Sequence, residues 1–558
     1  MARLKYYSLG GQDEKFRFSG VLELNGDIFI LNAGGSCVNT NLYEIDDVIP
    51  DYSSLIPLKP KIRGLFIGVP KELNISSLPY FLDVFSEVPI FTNSFGESII
   101  RDFLERFHEE GGKKYNPNIV ALNLISEHAV PGSNDCKILP IKVAASLPNS
   151  LAWAFKFSGS DYVVFMDEFL MSSENVPCRE NQLNFLFQNL KNKVSLLIVG
   201  TQSCATVPSF SLKVADNFSY LKKLTSRIST RLNVAAYKDD WHTLFNLSRI
   251  ARIYEYDLLI YPLKTSRMFN SFITENKLKN YSLSVSEETS RREGVVQIRI
   301  ITGTHNTLYS NLRAINSGEV KDWEFLPTDV TVFMTSTFTE RELEEISMIN
   351  EIAHRGGEVL KLPSTIVPYM AGAEDLKLLV NYLSPYHVIP VNGFYKDYVE
   401  FTKALTNVMN IDKIYFLENG QYVNIEKKNV SITENPLQEI YVGNKKILDI
   451  NRITIYERRL IAQSGVVLVS VRCNSKKNIV SNPMVQMLSV FSDDFSKKDE
   501  VLLRIQTNLK QDISKYLQQN SEIENKGLKQ SIRKSVYNSL DPFIYKKPAV
   551  VSVISHIN

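Results

Sequence analysis

Apolar and polar positions follow two rhythms along this chain, and the change from one to the other outlines its architecture. In the first third the period is two. The segment "YYSLGGQDEKFRFSGVLELNGDIFILNAGG" alternates on either side of "NG", which predicts a β-hairpin. More strands are predicted at "IRGLFIGV", "VPIFTN", "CKILPIKV", "LAWAFKFSGSDYVVFMDE" and "VSLLIVG", with helical spacing between some of them at "SLPYFLDVFSEV" and "GESIIRDFLERFHEEG". Trp153 and Phe155 lie at strand spacing and are expected in the core. Many strands with helices outside them predict an α/β sandwich.

From about residue 210 strands and helices alternate: "RLNVAAY", "DWHTLFNLSRIARIYE", "YDLLIYPL", "VVQIRIITG", "TDVTVFMTST", "ERELEEISMINEIAHRGG" and "GEVLKLP". This order predicts an inserted parallel sheet. A second strand-helix run, "EDLKLLVNYLSPYHVIPVNGFYKDYVEFTKALTNVM" with "KIYFLENGQYV", closes that part. The last hundred residues run from "GVVLVSVRCN" through the polar helix "KKDEVLLRIQTNLKQDISKYLQQ" and the basic "KGLKQSIRKSV" to "PAVVSVISHI", a small α+β appendage. The basic run is expected to be the solvated face of an amphipathic helix, with RNA contact as the alternative.

Length and composition narrow the picture. At 558 residues the chain is too long for one core, and 44% hydrophobic with 22% charged residues is the balance of a folded globular protein. The formal net charge of +2 gives no bulk field for nucleic acid, so any RNA binding needs a local basic channel. Five scattered cysteines without C-x-x-C spacing predict reduced thiols, and no apolar run reaches the roughly 18–20 residues of a membrane span. A cytoplasmic location and no membrane partner are expected. The seven histidines form no local cluster that could hold a metal, and neither His242 nor His305 has an obvious ligand partner. Cys204 has no neighbouring histidine or acid to activate it as a nucleophile.

Taken in order, these segments resemble ribonuclease J, an RNA-processing family of the metallo-β-lactamase superfamily that carries a β-CASP insert. "SLGGQDEKFRFSGVLELNGDIFILNAG" is similar to the family's opening "LGG-x-x-E-I-G-x-N" strand and "LIDAG" strand, and "DDVIPDYSSL" to its "IDYVIPDYTYL". "IPVNGFYK", "EDLKLLVNYLSP", "FLENGQYV" and "RRLIAQSGVVLVSVRCNSKKNIVSNP" keep the family's framing. The resemblance covers essentially the whole chain. It implies a metallo-β-lactamase αββα sandwich in two parts, 1–207 and 363–440, interrupted by a β-CASP domain at 208–362 and followed by a C-terminal domain at 441–558.

The family implies two zinc ions, held by a His-x-His-x-Asp-His loop before "I-G-G-I-P-Y" and by residues further on. Here those loop positions fall on Val69, Lys71, Leu73 and Asn74. The histidine of "T-H-S-I-P-D-S" falls on Ala145, the bridging aspartate of "T-G-D-F" on Glu168, and the last metal histidine of "I-P-V-H-G-E-Y" on Asn392. The "H-x-S-G-H" loop that assists catalysis and contacts RNA corresponds to Ile366, Val367, Pro368, Tyr369 and Met370. The "F-A-S-N-I" phosphate-binding turn corresponds to Asp239, Asp240 and Trp241. Zinc needs about three or four N, S or O donors per ion, so no zinc cofactor is expected. Two accounts of Lys71 stay open: a fixed charge in the vacated cavity, or a solvated turn residue. Asp239 and Asp240 either repel phosphate or cap the helix that starts near Trp241, and both accounts can hold.

The expectation is a degenerate ribonuclease J paralogue without nuclease chemistry, acting as a non-catalytic partner or RNA-binding scaffold. The partner expected is an active ribonuclease J or a wider RNA-decay assembly, RNA itself remaining open, and a homo- or hetero-oligomer is implied by the family. Two alternatives remain: an active exo- or endonuclease with altered metal use, and a stand-alone RNA-binding protein.

Overall fold

The hairpin predicted at "NG" pairs strand Ser19–Leu24 with strand Asp27–Leu31, and Asn25 and Gly26 carry positive φ of 52° and 93°. That is the conformation a tight two-residue turn demands, and Asn-Gly supplies it with little strain. Five of the six residues in the first strand are buried, because core covers both faces of the sheet. Alternation in the sequence therefore understates the burial. In a computed structural model the described residues are 3–37, 45–123, 125–133, 135–171, 181–211, 214–285, 294–335, 341–361, 370–426, 429–434, 437–474, 479–492, 495–519 and 525–557.

Among these, eight strands form one sheet in the order Asn429–Glu434, Gln421–Glu426, Arg3–Gly10, Ser19–Leu24, Asp27–Leu31, Ile62–Phe66, Ile90–Thr92 and Ile119–Ala121. Six form a second: His387–Val391, Val194–Gly200, Asp161–Met166, Leu151–Ser158, Lys137–Lys142 and His128–Ala129. Aromatic side chains fill the space between the two. Phe66 stacks on Phe91 at 4.7 Å and meets Phe155 at 5.0 Å, while Trp153 is fully buried beside it. The expected placement of Trp153 and Phe155 in the core is what the structure shows. The sandwich takes strands from both ends of its own sequence, since Gln421–Glu426 pairs antiparallel with Arg3–Gly10.

Between strands Val194–Gly200 and His387–Val391 the chain builds a separate sheet. Its strands run all parallel, in the order Asp257–Tyr261, Gln297–Gly303, Arg231–Tyr237, Val330–Phe333 and Glu358–Lys361. This is the parallel insert that the alternation predicts, and helices cover its faces as such sheets require. The insert and sandwich share one apolar core. Phe95, on the sandwich helix Ser94–Glu109, packs edge-on against Trp241 at 4.6 Å and Phe272 at 4.9 Å.

The chain divides into two compact units, the first taking in Asp46–Leu448 with the N-terminal strands and the second Asp449–Asn558 with a short stretch ending at Ile45. In the second, strands Met484–Leu488, Val466–Asn474 and Ala549–Ile557 form one sheet. Helices Lys498–Gln519 and Asn525–Leu540 bury Val501, Ile505, Leu509 and Ile513 together with Leu528, Ile532, Val536 and Leu540. These apolar residues recur every four positions, one face of each helix. Lys526, Lys529, Arg533 and Lys534 lie exposed on the opposite side, so the basic run is a solvated helix face. No helix of the described residues is long and apolar enough to cross a membrane.

Candidate functional site

Strand Ile62–Phe66 ends at the rim of the sandwich, and the chain then squeezes past the second sheet. A Cβ on Gly68 would lie 2.0 Å from the Leu151 carbonyl oxygen, so only glycine passes there. Val69 and Pro70 follow, and Lys71 takes the position before the short helix Glu72–Ile75. The Lys71 side chain is 8% exposed, and its Nζ donates to Glu168 Oε2 at 2.7 Å. Glu168 is fully buried, and its Oε1 accepts from the Ser146 backbone N–H at 2.6 Å. Lys71 is thus a buried, ion-paired charge, not a solvated turn residue.

Beside this pair sits a second buried centre. Asp167 Oδ2 accepts from Asn32 Nδ2 at 3.0 Å and Asn74 Nδ2 at 2.8 Å, and its Oδ1 accepts from Asn392 Nδ2 at 3.1 Å. Three amides, two from just past strand ends and one from the helix Glu72–Ile75, thus converge on one carboxylate. Asn32 and Asn392 hold left-handed backbone, φ 59° and 56°, which asparagine tolerates better than most side chains do. Asn392 is satisfied at both ends, since its Oδ1 accepts from the Phe16 N–H at 2.7 Å. Asn74 Nδ2 also reaches the Val69 carbonyl at 2.9 Å. The Oδ1 atoms of Asn32 and Asn74 have no donor among the described residues, a consequence of turning both amides toward Asp167.

The electrostatics follow from burial and pairing. Burial pushes the Asp167 carboxyl above the usual carboxylate range, opposed by the Lys71 ammonium and the amide donors. For Lys71, burial alone would lower the pKa; Glu168 and Asp167 outweigh it and hold the ammonium above its ordinary value. Lys71 therefore stays charged at neutral pH, a cation of the protein's own between two carboxylates.

This donor set does not fit two zinc ions. Val69, Leu73 and Ala145 offer no side-chain donor, Lys71 repels a cation, and Asn74 and Asn392 present N–H groups to Asp167. Both carboxylates are already engaged. Met370 lines a cleft of about 10 Å³ with Asp167, Glu168, Phe169 and Gln202. Such a space holds roughly one water. Ile366, Val367, Pro368 and Tyr369 lie outside the described residues.

The insert closes over the same loop. The Glu72 N–H donates to Asp239 Oδ2 at 3.0 Å, and Glu72 Oε2 meets Lys238 Nζ at 2.7 Å and Arg106 Nη2 at 3.1 Å. Asp240 caps helix Trp241–Tyr254, accepting from the Thr243 N–H at 3.0 Å and its hydroxyl at 2.6 Å. Trp241 is buried in the aromatic core. The aspartates of "YKDDW" thus serve structure: one caps a helix and the other anchors the loop. Replacing Asp240 with alanine should cost about 1 kcal/mol, read as a lowered thermal midpoint, with the Lys71–Glu168 centre intact.

The structure brings Val69, Lys71, Leu73, Asn74, Ala145, Glu168 and Asn392 to one rim, with Asp239 joined to it through Glu72. Sequence reasoning missed Asp167, Asn32 and Glu72. Asp167 was visible as the neighbour of Glu168 in "MDEF", and Asn32 as asparagine where the compared "LIDAG" strand has aspartate.

Comparisons with known proteins point to ribonuclease J-like proteins. The family profile described as the ribonuclease J C-terminal domain matches residues 453–557. An uncharacterised protein of Mycoplasma genitalium is 27% identical, with 100% of each chain covered. Ribonuclease J2 of Bacillus subtilis is 23% identical over 99% of both chains, and ribonuclease J 2 of Staphylococcus saprophyticus 21% over 99% of this chain and 98% of its own. Among solved structures, a protein of unknown function from Enterococcus faecalis aligns with a TM-score of 0.52 at 9% identity, covering 76% of this chain and 100% of that one, a likeness of fold alone.

Proposed function

From the premise that this chain is a ribonuclease J-like protein, we infer that it serves RNA processing and decay as a non-catalytic subunit. One observation carries the reading: the Lys71 ammonium, paired with Glu168 at 2.7 Å, stands where the family's loop brings a histidine to zinc. A protein lysine there supplies the positive charge that holds Glu168 in place, but it can neither acidify a water nor clamp a scissile phosphate as a metal does. The sandwich and the insert are retained around that centre, and the chain also keeps its C-terminal unit. A scaffold kept without its chemistry is suited to contacts with other subunits, and an active ribonuclease J is the partner that such a shell resembles.

The test has two arms. Elemental analysis of the protein purified without chelator should give far less than one zinc or manganese per chain, and 5′-monophosphorylated RNA should stay uncut with either metal added. In the second arm, mixing with active ribonuclease J at micromolar concentration should give a joint peak in size-exclusion chromatography. Stoichiometric metal with metal-dependent turnover would favour the alternative of an active nuclease with altered metal use. Separate elution would remove the partner role.

A further inference from the structure

On the far side of the loop that carries Lys71 and Glu72, the first unit contains a recessed cavity of about 70 Å³. Its walls come from strand Asp47–Ile49, helices Leu78–Val84 and Ser94–Glu109, the turn Thr304–Thr307 and the segment around Lys445. Four carboxylates line it, Asp46, Asp47, Glu72 and Glu110, against two cations, Arg106 and Lys445, a net lining charge of −2. His305 adds no charge, since burial lowers its pKa to about 4. Both cations are already paired: Arg106 with Glu72 at 3.1 Å, and Lys445 with Glu110 at 2.6 Å.

What remains is a polar remnant beside an aromatic wall. The Asp47 side chain makes no hydrogen bond or ion pair among the described residues, and the Asp46 side chain accepts only from the Asn444 N–H at 2.6 Å. Tyr80 is 8% exposed, lines the cavity, and its hydroxyl has no hydrogen-bond partner among the described residues. Asp47 is half-buried and Tyr80 lines the same cavity, so both oxygens are open to a donor that enters it. The Phe103 and Phe107 rings complete the wall, with Tyr80 edge-on to Phe107 at 5.9 Å.

We propose that this cavity binds a small organic cation, the primary ammonium end of an alkyl diamine or polyamine. The ammonium donates to the Asp47 carboxylate and the Tyr80 oxygen, and the first methylenes lie against Phe103 and Phe107, whose faces favour a cation. An anion is disfavoured by the lining charge. A metal ion is disfavoured by the donors, because no three His, Cys, Asp or Glu residues among those described are grouped to hold one.

Burial and the Glu72 charge push the Asp47 carboxyl up to about 7, with Asp46 adding to the rise and Lys445 and Arg341 opposing it. The unfolded carboxyl ionises near 3.8, so above that pH the unliganded site lowers stability, increasingly until Asp47 ionises near 7. Asp47→Asn should therefore melt no lower than wild type at pH 8, which separates loss of binding from loss of fold.

The experiment is calorimetric titration of the full chain at pH 8 with 1,3-diaminopropane, putrescine and spermidine, with magnesium chloride as a parallel probe. Saturable binding of at least one amine is expected, weakened about tenfold or more by Asp47→Asn and by a smaller factor by Tyr80→Phe. Affinity should also fall as the pH is lowered from 8 to 6 and Asp47 takes up a proton. The proposal is overturned by no saturable heat at millimolar amine, by binding that Asp47→Asn leaves unchanged, or by magnesium binding in place of the amine.

Discussion

Replacing Lys71 with alanine should destabilise the sandwich by about 3–5 kcal/mol, the scale for removing one partner of a buried ion pair. The Glu168 side chain is fully buried and keeps only the Ser146 N–H once the ammonium is gone, while Asp167 loses its nearest positive charge. Urea unfolding followed at the first transition measures this, since a chain of two units need not unfold in one step. The double variant Lys71→Met with Glu168→Leu should recover part of the loss, because Glu168 is then no longer a buried charge without its partner and Asp167 keeps its three amide donors. pH supplies an independent check. A lysine pKa raised on folding contributes stability that is complete below its unfolded value and lost only in strong alkali, so the effect should be flat between pH 6 and 9. Acidifying the alanine variant should narrow its deficit, as Asp167, already raised by burial, is neutralised sooner without Lys71. A loss below about 1 kcal/mol would show that Lys71 is a peripheral charge.

Strands and helices were legible in the sequence wherever one period held over a long run. Strand Arg231–Tyr237 and its parallel neighbours were predicted from "RLNVAAY", "YDLLIYPL" and "VVQIRIITG", because buried parallel strands are continuous apolar runs. That the compared metal positions carry no histidine was readable from the sequence too, since counting donors needs no coordinates. What those positions build instead was not. Lys71 and Glu168 are 97 residues apart, and nothing local marks them as a pair. The three asparagines around Asp167 come from positions 32, 74 and 392, each a plausible turn residue by itself. The role of Asp239 escaped for the same reason: its partner is a backbone N–H on Glu72, and a backbone donor has no sequence signature.

Changing Glu72 to glutamine should cost about 3 kcal/mol and loosen the insert from the sandwich. Burial alone would raise the pKa of this carboxyl, yet Lys238 and Arg106 draw it from 4.5 down to about 2. Its ionised form thus stabilises the folded chain above about pH 4.5, and that contribution fades as pH falls toward 2. The gap between wild type and variant should shrink below about pH 5 as Glu72 takes up its proton, and narrow again toward neutral pH, because without the Glu72 charge Asp47 ionises at lower cost. Glutamine keeps the shape and the N–H to Asp239, so the measured effect isolates the charge. Hydrogen exchange should quicken at residues 71–75 and 237–240, while the Trp241 cluster stays protected by its aromatic packing with Phe95 and Phe272. The functional consequence follows from where the lock sits. Two contacts from Glu72, its N–H to Asp239 and its carboxylate to Lys238, span the junction between sandwich and insert. Opening it should give no RNA cleavage, because the centre behind it still holds Lys71 where a metal ligand would stand. If Glu72→Gln gained metal-dependent turnover, the catalytic machinery would be intact and merely covered, and the non-catalytic reading would fall with it.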